Sequence, residues 1–224
     1  MMQRILAFLL LSACFGCTKN PSAEELISNS IHAITYADTI RNFITEADCQ
    51  GPKGAYKTIV HSDRDYTYFK QVFGYGGDPF EAVIVHDSAF QVVNDSVGSS
   101  FGQETITALK SHEFHMILID LKDRFHQFSK PETVSDQLKI NAIDELNNPI
   151  EIFFRKDAPE IQSITMRNPG DTTERISFTY ADWKIIQGVK LPMRVTLKQG
   201  ADKTFTFDFI NVMVNSKDFK RWNR

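Results

Sequence analysis

The chain has few cysteines and no surplus of positive charge, and each shortage removes a class of protein. It contains three cysteines in 224 residues, and Cys49 alone lies beyond the first 20. A single thiol in the folded region forms neither an internal disulfide nor a cysteine metal site. Lys and Arg number 25 against 28 Asp and Glu, for a net charge of -3, and no basic stripe is present. We therefore expect no nucleic-acid partner, because phosphate binding requires such a stripe.

Most sequence motifs of catalysis are also missing. There is no phosphate loop, no dinucleotide fingerprint and no Gly-x-Ser-x-Gly elbow. His112 and His115 are three residues apart rather than four, which breaks the HExxH pattern of zinc proteases. We expect a protein that is not an enzyme and needs no cofactor or metal. The alternative is an anchored metal-dependent or His-dependent hydrolase that uses His112, His115 and Glu113, where zinc would need a further ligand.

The first residues have the order of a bacterial lipoprotein signal peptide. A charged start is followed by a short apolar run and by small residues before a cysteine. The run is shorter than the about 20 apolar residues that a spanning helix needs. Leu-Ser-Ala-Cys resembles a lipobox and favours Cys14 as the lipidated residue, whereas the longer apolar run favours Cys17. Both alternatives stay open, and Cys17 is a candidate disulfide partner of Cys49 if Cys14 is the anchor.

This interpretation divides the chain into three parts. Residues 1–16 are the signal peptide, with cleavage before Cys14 or Cys17; residues 17–22 are a tether, and residues 23–224 form one domain. The lipid would hold the protein on a membrane facing the periplasm, and we favour the outer membrane.

The hydrophobic pattern predicts an α+β fold. An apolar stripe at helical spacing covers Ala23 to about Ile44, and a second covers Gln103 to Phe128 with a break near Asp120. Alternation begins at Ala55 and returns after the second helical region, and its phase changes near Phe209, which indicates a bulge. About nine or ten mostly antiparallel strands with two helices describe a strongly curved antiparallel sheet, an open half β-barrel, covered on its concave face by helices.

The order of these features supports a family resemblance. A lipobox, an amphipathic helix, strands, a central helical segment and a meander with Tyr180, Asp182-Trp183, Gly188 and Leu191-Pro192 are found here. This order resembles the periplasmic lipoprotein-carrier (LolA-like) superfamily of half β-barrels, especially its lipoprotein members of Bacteroidetes type. The resemblance implies an acyl chain or another hydrophobic ligand between sheet and helices, without catalytic residues. A lipobox departs from the pattern of the soluble shuttles and fits an anchored receptor, chaperone or sensor.

Phenylalanine, with 18 copies, provides material for either a core or a cavity wall. If a cavity exists, we expect apolar side chains of the inner face to line it: Phe69, Phe90, Phe114, Met116, Phe154, Phe178 and Met193. A glycine-rich loop at residues 74–80 is a second candidate, because it would present Tyr75 or Phe80 to a membrane or a lipid cargo.

These observations lead to one function and two alternatives. We expect a lipid-anchored envelope protein that binds an acyl chain, lipid or lipoprotein in a half-barrel cavity. The hydrolase above is the first alternative, and a scaffold whose cavity is filled by its own side chains is the second.

Overall fold

The computed structural model describes residues 21–34, 39–168, 171–219 and 221. Four short helices lie in this part of the chain, one before the sheet and three in its middle. They are α1 (Ala23–Ala33), α2 (Gln103–Lys110), α3 (Phe114–Ile119) and α4 (Leu121–Arg124). None of the helices in the described ranges is long and apolar enough to cross a membrane.

In the described ranges, fourteen strands form one continuous sheet in which all neighbours are antiparallel. They are β1 (Asn42–Gly51), β2 (Gly54–Asp63), β3 (Tyr66–Phe73), β4 (Phe80–Val85), β5 (Ser88–Val93), β6 (Ser96–Ser100), β7 (Phe125–His126), β8 (Glu132–Val134), β9 (Gln137–Asp144), β10 (Pro149–Arg155), β11 (Ile161–Asn168), β12 (Asp171–Ile186), β13 (Val189–Gln199) and β14 (Lys203–Val214).

The order of the strands leaves the sheet open. It runs β6-β5-β4-β3-β2-β1-β14-β13-β12-β11-β10-β9-β7, with β8 paired to β9 beside this path. Strands β1 and β14 thus meet in the middle of the sheet, and β6 and β7 stand at opposite edges. The predicted curved, unclosed antiparallel sheet with few helices is confirmed, although it has more strands than the nine or ten expected.

The hairpin between β12 and β13 shows how local sequence sets the register. Gln187 and Gly188 both have positive φ, at 51° and 83°, as a two-residue turn of type I′ requires. The turn aligns Ile186 with Val189, and along β13 Val189, Leu191, Val195 and Leu197 are buried. Alternation therefore places one face of β13 on the core, as the sequence predicts.

A bulge in β14 preserves this pattern along the next strand pair. Glu46 of β1 pairs with Asn211 and Ala47 pairs with Phe209, so Ile210 is skipped. Ile210 is exposed, whereas Phe209 and Val212 on either side are buried. The predicted change of phase near Phe209 is confirmed.

Helix α1 begins as predicted and ends early. Ser22 and Glu25 form a reciprocal capping box at its start. The helix ends at Ala33, and the expected extension to Ile44 is wrong because Phe43 and Ile44 already belong to β1. Strand β1 lies between β2 and β14, so pairing on both sides and burial of Phe43 outweigh the helical spacing.

The second helical region is broken into pieces. It is interrupted after Lys110 and again at Asp120, where a break was expected. The helices end at Arg124 rather than Phe128, because Phe125 and His126 pair with β9. Helix α3 is nevertheless buried on nearly every side, with five of its six residues in the interior.

The helices contribute residues to two apolar clusters. The main cluster joins α1, α3 and α4 to strands from both halves of the sheet, and includes Phe43, Phe114, Phe154, Phe178 and Phe207. The second joins α2, through Ile106 and Leu109, to Val60, Phe69, Ala82 and Ile84. Each cluster consists of helix residues packed on the same side of strands, so the helices cover the concave face.

Candidate functional site

Helix α3 packs its aromatic residue onto the middle of the concave face. The ring of Phe114 lies 4.8 Å from that of Phe207 on β14 and 5.6 Å from that of Phe178 on β12. Both strands present alternate residues inward, so these phenylalanines share one face. We refer to Phe178, Phe207 and Phe209 as the aromatic patch. It is an apolar surface that Phe114 of α3 covers.

The expected lining residues differ in how far they are buried and in which apolar cluster they join. Phe114, Met116, Phe154 and Phe178 belong to the main cluster, and Phe69 belongs to the second. Met193 is half-buried against the main cluster, and Phe90 is half-buried on β5. The set is therefore divided between two clusters, and its role in holding a ligand stays a prediction.

A buried ion pair fastens the helices to the sheet. Glu113, just before α3, is 4 % exposed. Its carboxylate accepts hydrogen bonds from the Thr67 hydroxyl on β3 and from the Arg124 guanidinium at the end of α4. Burial alone would lower the pKa of Arg124, but the Glu113 carboxylate reverses the effect and raises it. These contacts, which we call the Glu113 clasp, connect α3, α4 and β3.

A cleft of about 240 Å³ opens beside the Glu113 clasp. Its apolar lining residues include Ile84, Ile117, Phe125 and Met166, and most of its other lining side chains are charged or polar. The lining acids are Asp65, Glu113, Asp120, Asp123, Asp144 and Glu145, and the lining cations are Arg64, Lys110 and Arg124. We call this space the side cleft. None of the seven expected lining residues borders it.

Arg64 forms ion pairs with two acids of the side cleft. It lies in the turn between β2 and β3. Its Nε is 3.6 Å from Asp120 Oδ1, and its Nη2 is 3.6 Å from Asp123 Oδ2. The sequence alone carries no signal for this pairing, because a distant turn and a helix end meet only through the fold.

His112, Glu113 and His115 do not converge on a common point. His115 Nε2 donates to the Pro192 carbonyl at 2.9 Å, and its ring packs on Phe43 and Phe209. His112 Nδ1 donates to the Ala108 carbonyl at 2.9 Å, while Glu113 faces Thr67 and Arg124. Within the described ranges, no three side chains of His, Cys, Asp or Glu are grouped as metal ligands. The arrangement gives no support to the hydrolase alternative.

Acid should destabilise the fold through His115. Burial lowers the pKa of His115 to about 4, below its value of about 6.5 in an unfolded chain. The folded state therefore resists the proton that the unfolded state accepts, and stability falls as the pH drops from about 6.5 toward about 4. The expected loss is about 3 kcal/mol at pH 4, and burial of His112, whose pKa is also lowered, adds to it.

Urea denaturation between pH 7 and pH 4 measures this loss. Replacement His115→Gln keeps an N–H donor for the Pro192 carbonyl and should flatten the slope of stability against pH. His126→Gln is the matched control and should leave the slope unchanged, because His126 is exposed and has no ion pair within the described residues. Equal slopes for the wild type and His115→Gln would contradict the assignment.

The glycine-rich loop directs its two aromatic residues differently. Tyr75 is 68 % exposed and stacks on Phe73 at 5.2 Å, whereas Phe80 is half-buried between Phe69 and Phe101. Only Tyr75 is thus presented at the surface. A contact of this loop with a membrane or cargo stays a prediction.

Cys49 is the one cysteine within the described residues, and it is a free thiol. Cys49 is buried, and its Sγ lies 3.4 Å from the Thr58 hydroxyl. Burial raises the pKa of its thiol to about 11, which keeps it protonated and unreactive near neutral pH. The expected anchor residues, Cys14 and Cys17, lie outside the described residues, as does most of the tether.

Comparison with known proteins establishes the fold. No protein-family model matches the chain, and no curated protein matches it significantly. Among solved structures, a LolA superfamily protein from Nitrosomonas europaea matches 90 % of this chain and 98 % of its own, with 9 % identity and a TM-score of 0.62. A DUF1329 family protein from Desulfovibrio piger matches 87 % of this chain and 93 % of its own, with 12 % identity and a TM-score of 0.50. The chain thus has a LolA-like fold.

Proposed function

We propose that this protein is a lipid-anchored component of the bacterial cell envelope that holds a hydrophobic ligand against the concave face of its half-barrel. The ligand is an acyl chain, a lipid or the acylated end of a lipoprotein. The protein acts without catalysis, and a lipid on Cys14 or Cys17 tethers it to a membrane facing the periplasm.

One observation carries this proposal: short broken helices, rather than a second sheet, cover the apolar concave face. Helices α2, α3 and α4 have eight, six and four residues, and helices this short are marginal without tertiary contacts. Their attachment to the sheet combines side-chain packing with a few polar contacts, chiefly the Glu113 clasp and the hydrogen bond from His115 to Pro192. Such a cover can move without breaking the strand pairing beneath it.

A comparison of two free energies, that of burying a hydrocarbon chain and that of exposing α3, supports reversible binding of the ligand. Burial of a chain of about 14 methylenes yields on the order of 11 kcal/mol, at about 0.8 kcal/mol for each. Exposing four large side chains of α3 would cost about 6 to 12 kcal/mol, at about 1.5 to 3 kcal/mol for each. The two quantities are similar, so a hydrocarbon chain can replace Phe114 and its neighbours on the aromatic patch, and closure of α3 can expel it again.

Native mass spectrometry tests this function on a soluble chain that begins at Pro21. We expect a co-purifying lipid or, after delipidation, saturable binding of myristate. Met193→Glu should weaken myristate binding at least fivefold, because Met193 is half-buried against the main cluster. Ile185→Glu is the control, since Ile185 is 74 % exposed, and should have no effect. Absence of both co-purifying lipid and saturable myristate binding would refute the proposal.

A further inference from the structure

The side cleft contains a buried carboxylate whose hydrogen-bonding capacity is unmet. Asp120 is 5 % exposed, and its Oδ1 has no hydrogen-bond partner in the described part of the chain. The Arg64 guanidinium forms an ion pair at 3.6 Å, too long for a hydrogen bond, and is shared with Asp123. A buried acceptor without a donor is unfavourable, so a ligand that supplies an N–H group here gains more than it would in water.

The helix itself does not use this side chain. Asp120 stands directly before α4, at a position where an aspartate commonly caps the first amides of a helix. Its side chain accepts no such bond, whereas its backbone carbonyl accepts from the amides of Asp123 and Arg124. Helix geometry therefore does not explain the buried carboxylate.

The charges around Asp120 favour a cation. Glu113 and Arg124 neutralise each other in the Glu113 clasp. The remaining lining groups are two cations, Arg64 and Lys110, and five acids, Asp65, Asp120, Asp123, Asp144 and Glu145. Outside the lining, Lys110 pairs with Asp87 at 4.0 Å and Asp65 pairs with Arg221 at 3.9 Å. One cation, Arg64, then stands against four acids: Asp120, Asp123, Asp144 and Glu145. The surplus of carboxylates attracts positive charge into the cleft.

The spacing of these acids and the apolar lining residues beside them indicate which kind of cation fits the cleft. The described carboxylates are not grouped closely enough to coordinate a metal ion. An ammonium group instead donates three separate hydrogen bonds and tolerates acceptors on different elements. Ile117, Phe125 and Met166 offer an apolar surface next to them. The volume of about 240 Å³ equals the liquid volume of roughly eight waters, enough for a small amphipathic amine.

We propose that the side cleft binds a primary ammonium group carried on a short apolar chain, with Asp120 as its buried hydrogen-bond acceptor and Asp123 at the rim. The ammonium group belongs either to a free alkylamine or to the headgroup of an aminophospholipid. This site is separate from the aromatic patch, so its existence does not depend on hydrocarbon binding there.

Isothermal titration calorimetry of the full chain in a nonionic detergent tests the proposal with butylammonium chloride. We expect saturable binding with a Kd on the order of 1 mM or tighter. Butan-1-ol, which lacks the charge, and butyltrimethylammonium, which lacks N–H donors, should each bind at least tenfold more weakly. Competition by short-chain phosphatidylethanolamine but not by phosphatidylcholine would identify the headgroup as the source, and absence of competition would identify the free amine.

Variants distinguish the site from a general effect of charge. Asp120→Asn should weaken butylammonium binding at least tenfold, and Asp123→Asn should weaken it severalfold. Asp202→Asn should bind normally, because Asp202 is an exposed carboxylate outside the lining. Circular dichroism checks the fold, and Asp123→Asn, at an exposed position, provides the decision if Asp120→Asn does not fold. The proposal is overturned if butylammonium fails to saturate, if butan-1-ol binds equally well, or if a folded Asp120→Asn or Asp123→Asn variant binds like the wild type.

Discussion

Glu113→Ala is expected to lower the free energy of unfolding by about 3 to 5 kcal/mol, because it leaves the Arg124 guanidinium without its carboxylate. The side chain of Glu113 is 4 % exposed and that of Arg124 is 22 % exposed, so water replaces the lost partner poorly. The Thr67 hydroxyl loses its acceptor in the same change. Urea denaturation at pH 7 measures the loss.

Two comparisons show whether the buried ion pair is the cause. Glu132→Ala removes a carboxylate that is 59 % exposed and lies 3.5 Å from Lys139, and should change stability by less than about 1 kcal/mol. The double variant Glu113→Leu with Arg124→Met should be more stable than Glu113→Ala, because no unpaired charge remains. A Glu113→Ala loss as small as that of Glu132→Ala would contradict the role assigned to the Glu113 clasp.

The clasp also has a consequence for the proposed function. If α3 must leave the aromatic patch before a hydrocarbon chain can enter, a weaker attachment favours the open state. The apparent affinity of a ligand that binds the open state then rises, because opening requires less free energy. Glu113→Gln, a milder change than Glu113→Ala, is suited to observing this effect in myristate titrations.

The sequence predicted the sheet better than the helices. Strands such as β13 are half-buried, and their alternation of apolar and polar residues directly records which face meets the core. Even the bulge at Ile210 is visible as a change of phase. The sequence places the end of α1 too late, because Phe43 and Ile44 fit a helical stripe as well as a strand. Only pairing with β2 and β14 decides between the two.

The sequence does not predict the polar contacts between distant parts of the chain. Arg64 and Asp120 are 56 positions apart along the chain, and they meet because the turn between β2 and β3 lies against the start of α4. The sequence suggests a role for Glu113 only beside His112 and His115, whereas its partners are Thr67 and Arg124. Nothing in the local pattern distinguishes a buried charged residue from a solvated one, so the Glu113 clasp and the side cleft emerge only from the fold.

Phe114→Ala separates a ligand-binding surface from a permanently closed core. Phe114 is 3 % exposed and contacts Phe178, Phe207 and Phe209, so its truncation should destabilise the fold by about 3 to 5 kcal/mol. The space left is apolar and would stay dry, and such a cavity binds small apolar molecules. Myristate should therefore restore part of the lost stability, as a rise in the urea midpoint that saturates with ligand.

Leu109→Ala is the matched control for this rescue. Leu109 is 7 % exposed and packs in the second cluster with α2, away from the aromatic patch. Its truncation should cost about 2 to 5 kcal/mol, and myristate should restore less of that loss than it does for Phe114→Ala. If myristate shifts both variants equally, the fatty acid acts on the protein as a whole. If it shifts neither, the aromatic patch is an ordinary core and the helices above it do not yield to a hydrocarbon chain.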